Sequence, residues 1–296
     1  MANYPSFVSE LNAASDEDRL ARLERVHPEY AANADSWDVL LDAFDGSGGF
    51  LDGSYLWPYQ REDAVQFERR KAMARYHNYL EALIDLYVRF IFTQGVKRTS
   101  RNKEYTEWLK DVDGGGTPIN EFLRRLSAVA LAAGHAGALI DKTTEEPTGP
   151  TKTDEQARVY ATIFTAPKIR DWRFVENKLV SIKLMESAPE PDITAKEDPG
   201  GAQYLVWTRE GWARYDDHGI LVSGDTPELD IVPFVVMRPK PSQTTNMIGR
   251  PIVSNANVVR AMFNRASEED EVIRAQAFSL LSVEVDKEGD VDGTKQ

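Results

Sequence analysis

Apolar residues in the first half of the chain recur at intervals of three and four, whereas in the middle they alternate in short runs, so helices are expected to give way to strands. The clearest helical stretch runs from about Ala64 to Thr93, where Tyr76, Tyr79, Leu80, Leu83, Ile84, Tyr87 and Ile91 share one face and Gly95 follows as a stop. This face predicts a core helix. Ser15, followed by Asp16, Glu17 and Asp18, predicts an earlier helix start, because carboxylates in a first turn meet free backbone N–H groups. Another helix is expected from Thr117 as cap, with Pro118 at the first helical position and Phe122, Leu123, Leu126, Val129 and Ala130 as its buried stripe.

Beyond Gly134 the period changes. Ala138-Leu139-Ile140 predicts a strand, Lys142–Gln156 a polar loop, and then come Val159–Thr165, Trp172–Val175, Leu179–Met185, Tyr204–Thr208, Trp212–Tyr215 and Ile231–Met237 as short antiparallel strands. Asn177, Gly211 and Asp216-Asp217-His218-Gly219 supply the turns. A last helix is expected over Asn257–Leu281, with Val258, Met262, Ala266, Ile273, Ala277 and Leu281 as its apolar stripe, interrupted at Ser267–Glu271. Within that interruption Asp270 and Glu271 stand four and three residues before Arg274, the favourable order for helix ion pairs. The fold class is therefore α+β: a helical N-terminal half, an antiparallel strand-rich middle and a long C-terminal helix.

Composition narrows the function. With 42% hydrophobic residues in 296, the chain can bury a sizeable core. Every apolar run is broken by charge before the ~20 residues needed to span a bilayer, and the first residues lack the basic-then-apolar pattern of a secretory signal. The absence of cysteine removes disulfides, thiolate nucleophiles and cysteine metal sites, and is compatible with a reducing cytoplasm. Thirty-five basic against 48 acidic residues leave a net charge of −13, a poor basis for gripping duplex DNA, whose affinity comes mainly from lysine and arginine on phosphates. Arg61, Arg69, Arg70, Lys71 and Arg75, with Lys97, Arg98, Arg101 and Lys103, form basic clusters that read as phosphate contacts, or as solvated faces or salt-bridge partners in an acidic chain.

Catalytic motifs are missing. There is no GxxxxGK[ST] loop, GxSxG elbow or HExxH, and the GSGG turn within Asp45–Gly53 lacks the phosphate-loop form. Of the histidines, His27, His77, His135 and His218, only His77 has a carboxylate one turn on, at Glu81, a spacing more usual for an exposed ion pair than for a metal site. Glu145, Glu146, Asp154 and Glu155 crowd one polar loop.

Several segments resemble one family. His27-Pro28-Glu29-Tyr30, then Trp37 with Leu41 and Asp42, a glycine turn, Tyr55-Leu56-Trp57-Pro58, and a helix carrying Arg69, Ala72, Tyr76 and Asn78 look like the opening of tailed-bacteriophage portal proteins. Thr165-Ala166-Pro167-Lys168-Ile169-Arg170-Asp171-Trp172 and Ile231-Val232-Pro233-Phe234 before Pro239 are similar to the portal wing. Arg250-Pro251-Ile252, Asn257 and Ala266-Ser267-Glu268-Glu269-Asp270 resemble the approach to the stem.

The resemblance implies a non-enzymatic structural subunit, without cofactor or metal, of a ring that is usually dodecameric. It would sit at the capsid vertex of the virion after assembly in the host cytoplasm. Double-stranded DNA would pass through it, and its partners would be the terminase large subunit, neck and head-completion proteins, and the major capsid and scaffolding proteins, with no membrane. It also implies a helical arm over residues 1–45, a wing over 46–250, a first stem helix over 251–282 and the start of a clip over 283–296, with the chain cut short in the run EVDKEGDVDGTKQ before the rest of the clip, a second stem helix and a crown. Arg260, Arg265, Glu268, Glu271 and Arg274 are the candidate tunnel-facing or inter-subunit residues. A negative chain suits a conduit that must not hold its cargo. Two other readings stay open: a metal-dependent hydrolase or nuclease using Asp141, Glu145 and Asp154, and a non-catalytic adaptor or scaffold protein.

Overall fold

The computed structural model describes residues 5–142, 158–187, 201–227, 229–253 and 255–277. The α+β class is as expected, and the helices and sheets fall into two compact units. The residues up to Asp45 join Asn78–Ala256 in one; Gly46–His77 join the residues from Asn257 on in the other. The segment after the N-terminal helices is thus built against the last helix.

The first unit begins with α1 (Ser6–Asn12), α2 (Asp16–Glu24), α3 (Pro28–Ala31) and α4 (Ala34–Asp45). Ser15 caps α2 as predicted, its hydroxyl accepting from the Asp18 amide at 3.2 Å. At α3 the cap is His27, whose Nδ1 accepts from the Glu29 amide while Pro28 fills the first turn.

The expected helix from Ala64 to Thr93 is two helices, α5 (Ala64–Met73) in the second unit and α6 (Tyr79–Ile91) in the first. Ala74 turns extended, and Asn78 starts α6 afresh by accepting from the Glu81 amide at 3.0 Å. The asparagine side chain competes with helix continuation by serving as a cap, which periodicity alone does not register. Only Leu80, Ile84 and Val88 of α6 are buried; Tyr79, Leu86, Tyr87, Phe90 and Ile91 are exposed, so the broad face expected to be core is a narrow stripe beside an open apolar surface.

After α7 (Lys103–Trp108), α8 (Ile119–Ala133) starts one residue later than a Thr117 cap would give, with Pro118 as the cap and the Thr117 carbonyl engaged by the Val112 amide. Gly134 ends α8 at φ +93°, and a Cβ there would lie 2.5 Å from the Gly249 carbonyl oxygen, so both conformation and space require glycine.

Strands β1 (Ala136–Lys142), β2 (Val159–Thr165), β3 (Ile169–Val175), β4 (Lys178–Ser187), β5 (Ala202–Thr208), β6 (Trp212–Tyr215), β7 (Leu221–Asp225) and β8 (Phe234–Met237) make two antiparallel sheets, ordered β2-β1-β8 and β3-β4-β5-β6-β7. The sequence pattern missed β7, whose LVSGD is short and half polar, and overextended β8 back to Ile231. Gly137 on β1 packs under the Phe234 ring, which would overlap any Cβ, and this holds β8 close. One core cluster joins Trp172, Trp207 and Trp212 of the larger sheet to Tyr30, Trp37, Leu139 and Phe164, while Phe174 packs partly buried against it. A second lies between α8 and β1, around Phe122, Leu126, Ala130 and Ala138.

The second unit is α5, the glycine turn before it and α9 (Ala256–Ala277) from Asn257 on. The expected helix residues beyond Ala277, Leu281 among them, and the expected clip lie outside the described residues. Among the described residues, no helix is long and apolar enough to cross a membrane.

Candidate functional site

The candidate tunnel or inter-subunit residues all stand on α9, and the helix is turned differently from the expected stripe. From Asn257 on, its buried residues are Val259, Phe263, Asn264 and Ser267, one position along from the predicted set. Val258, Met262 and Ile273 are exposed, near half or more of their surface open. The cause is polar. Asn264 accepts from the Trp57 amide at 2.7 Å and donates to the Tyr55 carbonyl at 3.2 Å, and Ser267 accepts from Arg70 at 3.4 Å. Burying Asn264 satisfies backbone groups and burying Ser267 gives the Arg70 guanidinium an acceptor, and together they rotate α9 by one residue. Phe263 completes the contact, edge-on to Phe50 and Tyr76.

The five candidates accordingly divide. Arg260 lies over the rings of Tyr55 and Trp57, at 5.3 and 5.2 Å, within its own unit. Glu271 and Arg274 form the pair foreseen at spacing three, at 2.8 Å. Arg265 and Glu268 are exposed. The structure thus leaves Arg265 and Glu268, flanked by Val258 and Met262, as the open part of the predicted site.

Arg70, one of the clustered bases, is a salt-bridge partner, one of the readings open from the sequence, and it is buried. Its guanidinium holds Glu62 through two bonds of 2.8 and 2.9 Å, donates to the Trp57 carbonyl and lies 4.0 Å from the centre of the Tyr59 ring. Hydrogen bonding from Arg70 holds the Glu62 carboxyl below the usual carboxylate range. No sequence signal separates Arg70 from its neighbours, since Glu62 stands eight residues away, outside the Arg70 helix.

In the first unit, two segments that carry the family resemblance meet. The His27 ring stacks on Trp172 with centroids 4.3 Å apart, the His27 amide donates to the Arg170 carbonyl, and Tyr30 donates to the Pro167 carbonyl at 3.0 Å. Arg170 donates to the Tyr30 hydroxyl at 2.7 Å and lies over its ring. The motif residues therefore join the N-terminal helices to the larger sheet, a structural role.

For metal chemistry the described residues offer little. Asp141 lies on β1 beside Tyr160, its carboxyl pushed up by burial, and Glu145 and Asp154 lie outside the described residues. His77 precedes α6 rather than sharing a helix with Glu81, so that pair lacks the one-turn geometry. The residues that do converge are Asp216, Asp217 and His218, in the exposed turn after β6, where Asp216 already accepts from the His218 and Ile220 amides.

Two buried bases stand out. His135, between α8 and β1, is wholly enclosed with neither ring nitrogen hydrogen-bonded among the described residues, edge-on to Trp37 at 5.0 Å. Burial, with a smaller push from Arg238, lowers its pKa to about 4, so it is neutral at pH 7. Lys183 on β4 donates to the Arg22 and Arg25 carbonyls at the end of α2 and lies 3.9 Å from Asp171, while burial lowers its pKa to about 8.

No protein-family model matches this sequence, and no curated protein matches it.

Proposed function

We propose that this chain is a subunit of a tailed-phage portal ring, a structural conduit at the capsid vertex of the virion through which double-stranded DNA is packaged and ejected. Its partners in this reading are further copies of itself, the packaging motor, the head-completion proteins and the shell proteins. The observation that carries the reading is the outer face of α9. A helix of 22 residues keeps Val258, Met262, Val272 and Ile273 in solvent while burying asparagine and serine. Apolar side chains grouped on an exposed helix face mark an interaction surface, and side-by-side packing of such helices around a ring would cover them. Exposed Glu268 then contributes to an electronegative lumen along which DNA slides. The family resemblance of the His27–Tyr30 and Thr165–Trp172 segments supports the same reading.

Electron microscopy and mass photometry of the purified chain test it. Rings of a fixed subunit number are expected, and Val258→Asp with Met262→Asp should convert them to monomers with an unchanged circular dichroism spectrum. A chain that remains monomeric at every attainable concentration favours the adaptor reading instead.

A further inference from the structure

We propose that the groove between the first two helices and the larger sheet is a docking site for an acidic amphipathic helix of a partner protein. The groove has a volume of about 760 Å³ and an apolar floor that includes Phe7, Leu11, Val26 and Val206. Each of these floor residues is only partly covered among the described residues.

Charge selects the occupant. Of the residues that line the groove, Arg22, Arg25, Arg173 and Lys183 are cationic, against the carboxylates of Glu10 and Asp171. Asp171 is taken up by Arg25 at 3.2 Å and faces Lys183 at 3.9 Å. The Arg22 and Arg173 side chains are exposed and make no ion pair among the described residues. A chain of net charge −13 therefore presents a locally positive rim around apolar surface. Its overall field repels acidic partners elsewhere, so an acidic ligand gains here by contrast.

The layout favours a helix over a small anion. The unpaired arginines are exposed at the rim, and the enclosed cation, Lys183, is committed to the Arg22 and Arg25 carbonyls. Among the described residues, no enclosed cation is thereby left to grip a single phosphate or carboxylate. An open apolar floor with charges along its margins matches a helix that lays down one apolar stripe and flanks it with glutamates.

The test uses a fluorescein-labelled 14-residue peptide with leucines at positions i, i+3, i+4, i+7 and i+11 and glutamates on its other faces. A version with lysine in place of glutamate and a scrambled acidic version serve as controls. Fluorescence anisotropy should show the acidic amphipathic peptide binding at least tenfold more tightly than either control, and progressively less tightly as salt is raised. Arg22→Glu with Arg173→Glu should reduce that affinity at least tenfold, and Arg101→Glu, a surface change outside the groove, should not. Hydrogen exchange should slow over residues 22–28 and 171–183 when the peptide is present. Equal binding of all three peptides, no binding, an unaffected Arg22→Glu/Arg173→Glu protein of native circular dichroism, or protection elsewhere on the chain would each overturn the proposal. Ring formation is read separately, so failure here leaves the portal reading standing, and the reverse also holds. Self-association through this groove, detected as a change of particle mass in the double variant with no peptide binding, also counts against a separate partner.

Discussion

The His27 imidazole and the Trp172 indole stack with their planes 22° apart, across 145 residues of sequence. Trp172 is almost wholly buried, so Trp172→Ala removes both a large core side chain and the platform under the α3 cap. We expect a loss of about 3–5 kcal/mol in urea denaturation. An unchanged denaturation midpoint would argue that the motif cluster is peripheral to stability.

His135 makes stability depend on mild acid. Its folded pKa of about 4 lies below the unfolded value near 6.5, so the folded state binds fewer protons between those values. The contribution of neutral His135 is complete above pH 6.5 and is lost as pH falls toward 4, by about 3 kcal/mol in all. Denaturation curves between pH 7 and 5 should show the start of this loss, ahead of most carboxylate titration. His135→Phe should flatten the curve in that window.

Lys183 joins the end of α2 to the larger sheet. In Lys183→Met the carbonyls of Arg22 and Arg25 lose this donor, a cost of about 1–3 kcal/mol. Faster amide exchange in Asp16–Glu24, with β4 and β5 unaffected, is the expected signature. Uniform exchange across the first unit would point to a general loss of packing instead.

Arg70 and Glu62 are both enclosed, so either single replacement by an apolar residue strands the other charge. Arg70→Met or Glu62→Met should each cost about 3–5 kcal/mol, and the double variant less than their sum. Additive losses in a double-mutant cycle would show that the two groups act independently.

Much of the fold was legible because burial and periodicity agree where one face meets a core. Strands β2 and β6 lie where alternation put them, and Gly134 ends α8 by the conformation only glycine adopts readily. The misreadings share a cause. At Asn78 and Asn264 polar side chains satisfy backbone groups at a helix start or far along the chain, Ser267 accepts from the distant Arg70, and these bonds override an apolar pattern that reads well by itself. The stripe of Val258, Met262 and Ile273 was correctly recognised as apolar; what the sequence did not carry was that Tyr55 and Trp57 would claim the adjoining face of α9. Arg70 was illegible for the same reason, since its partners are Glu62 and the Trp57 carbonyl rather than neighbours on its own helix.

The first half of the second unit has no partner until Asn257 and the residues after it have been made. Gly46–His77 leave the ribosome about 180 residues before Asn257. At ~5–20 residues per second the interval is roughly ten to forty seconds. Throughout it, Phe50, Tyr55, Trp57 and the Arg70–Glu62 pair wait without the helix that encloses Phe50 beside Phe263 and takes up Arg70 at Ser267. Nascent chains arrested before residue 257 should be cut by protease within 46–77 while α8 and the two sheets resist, and the segment should become resistant only after α9 emerges. The last helix of the described chain thus sets the time at which one of its earliest segments can fold.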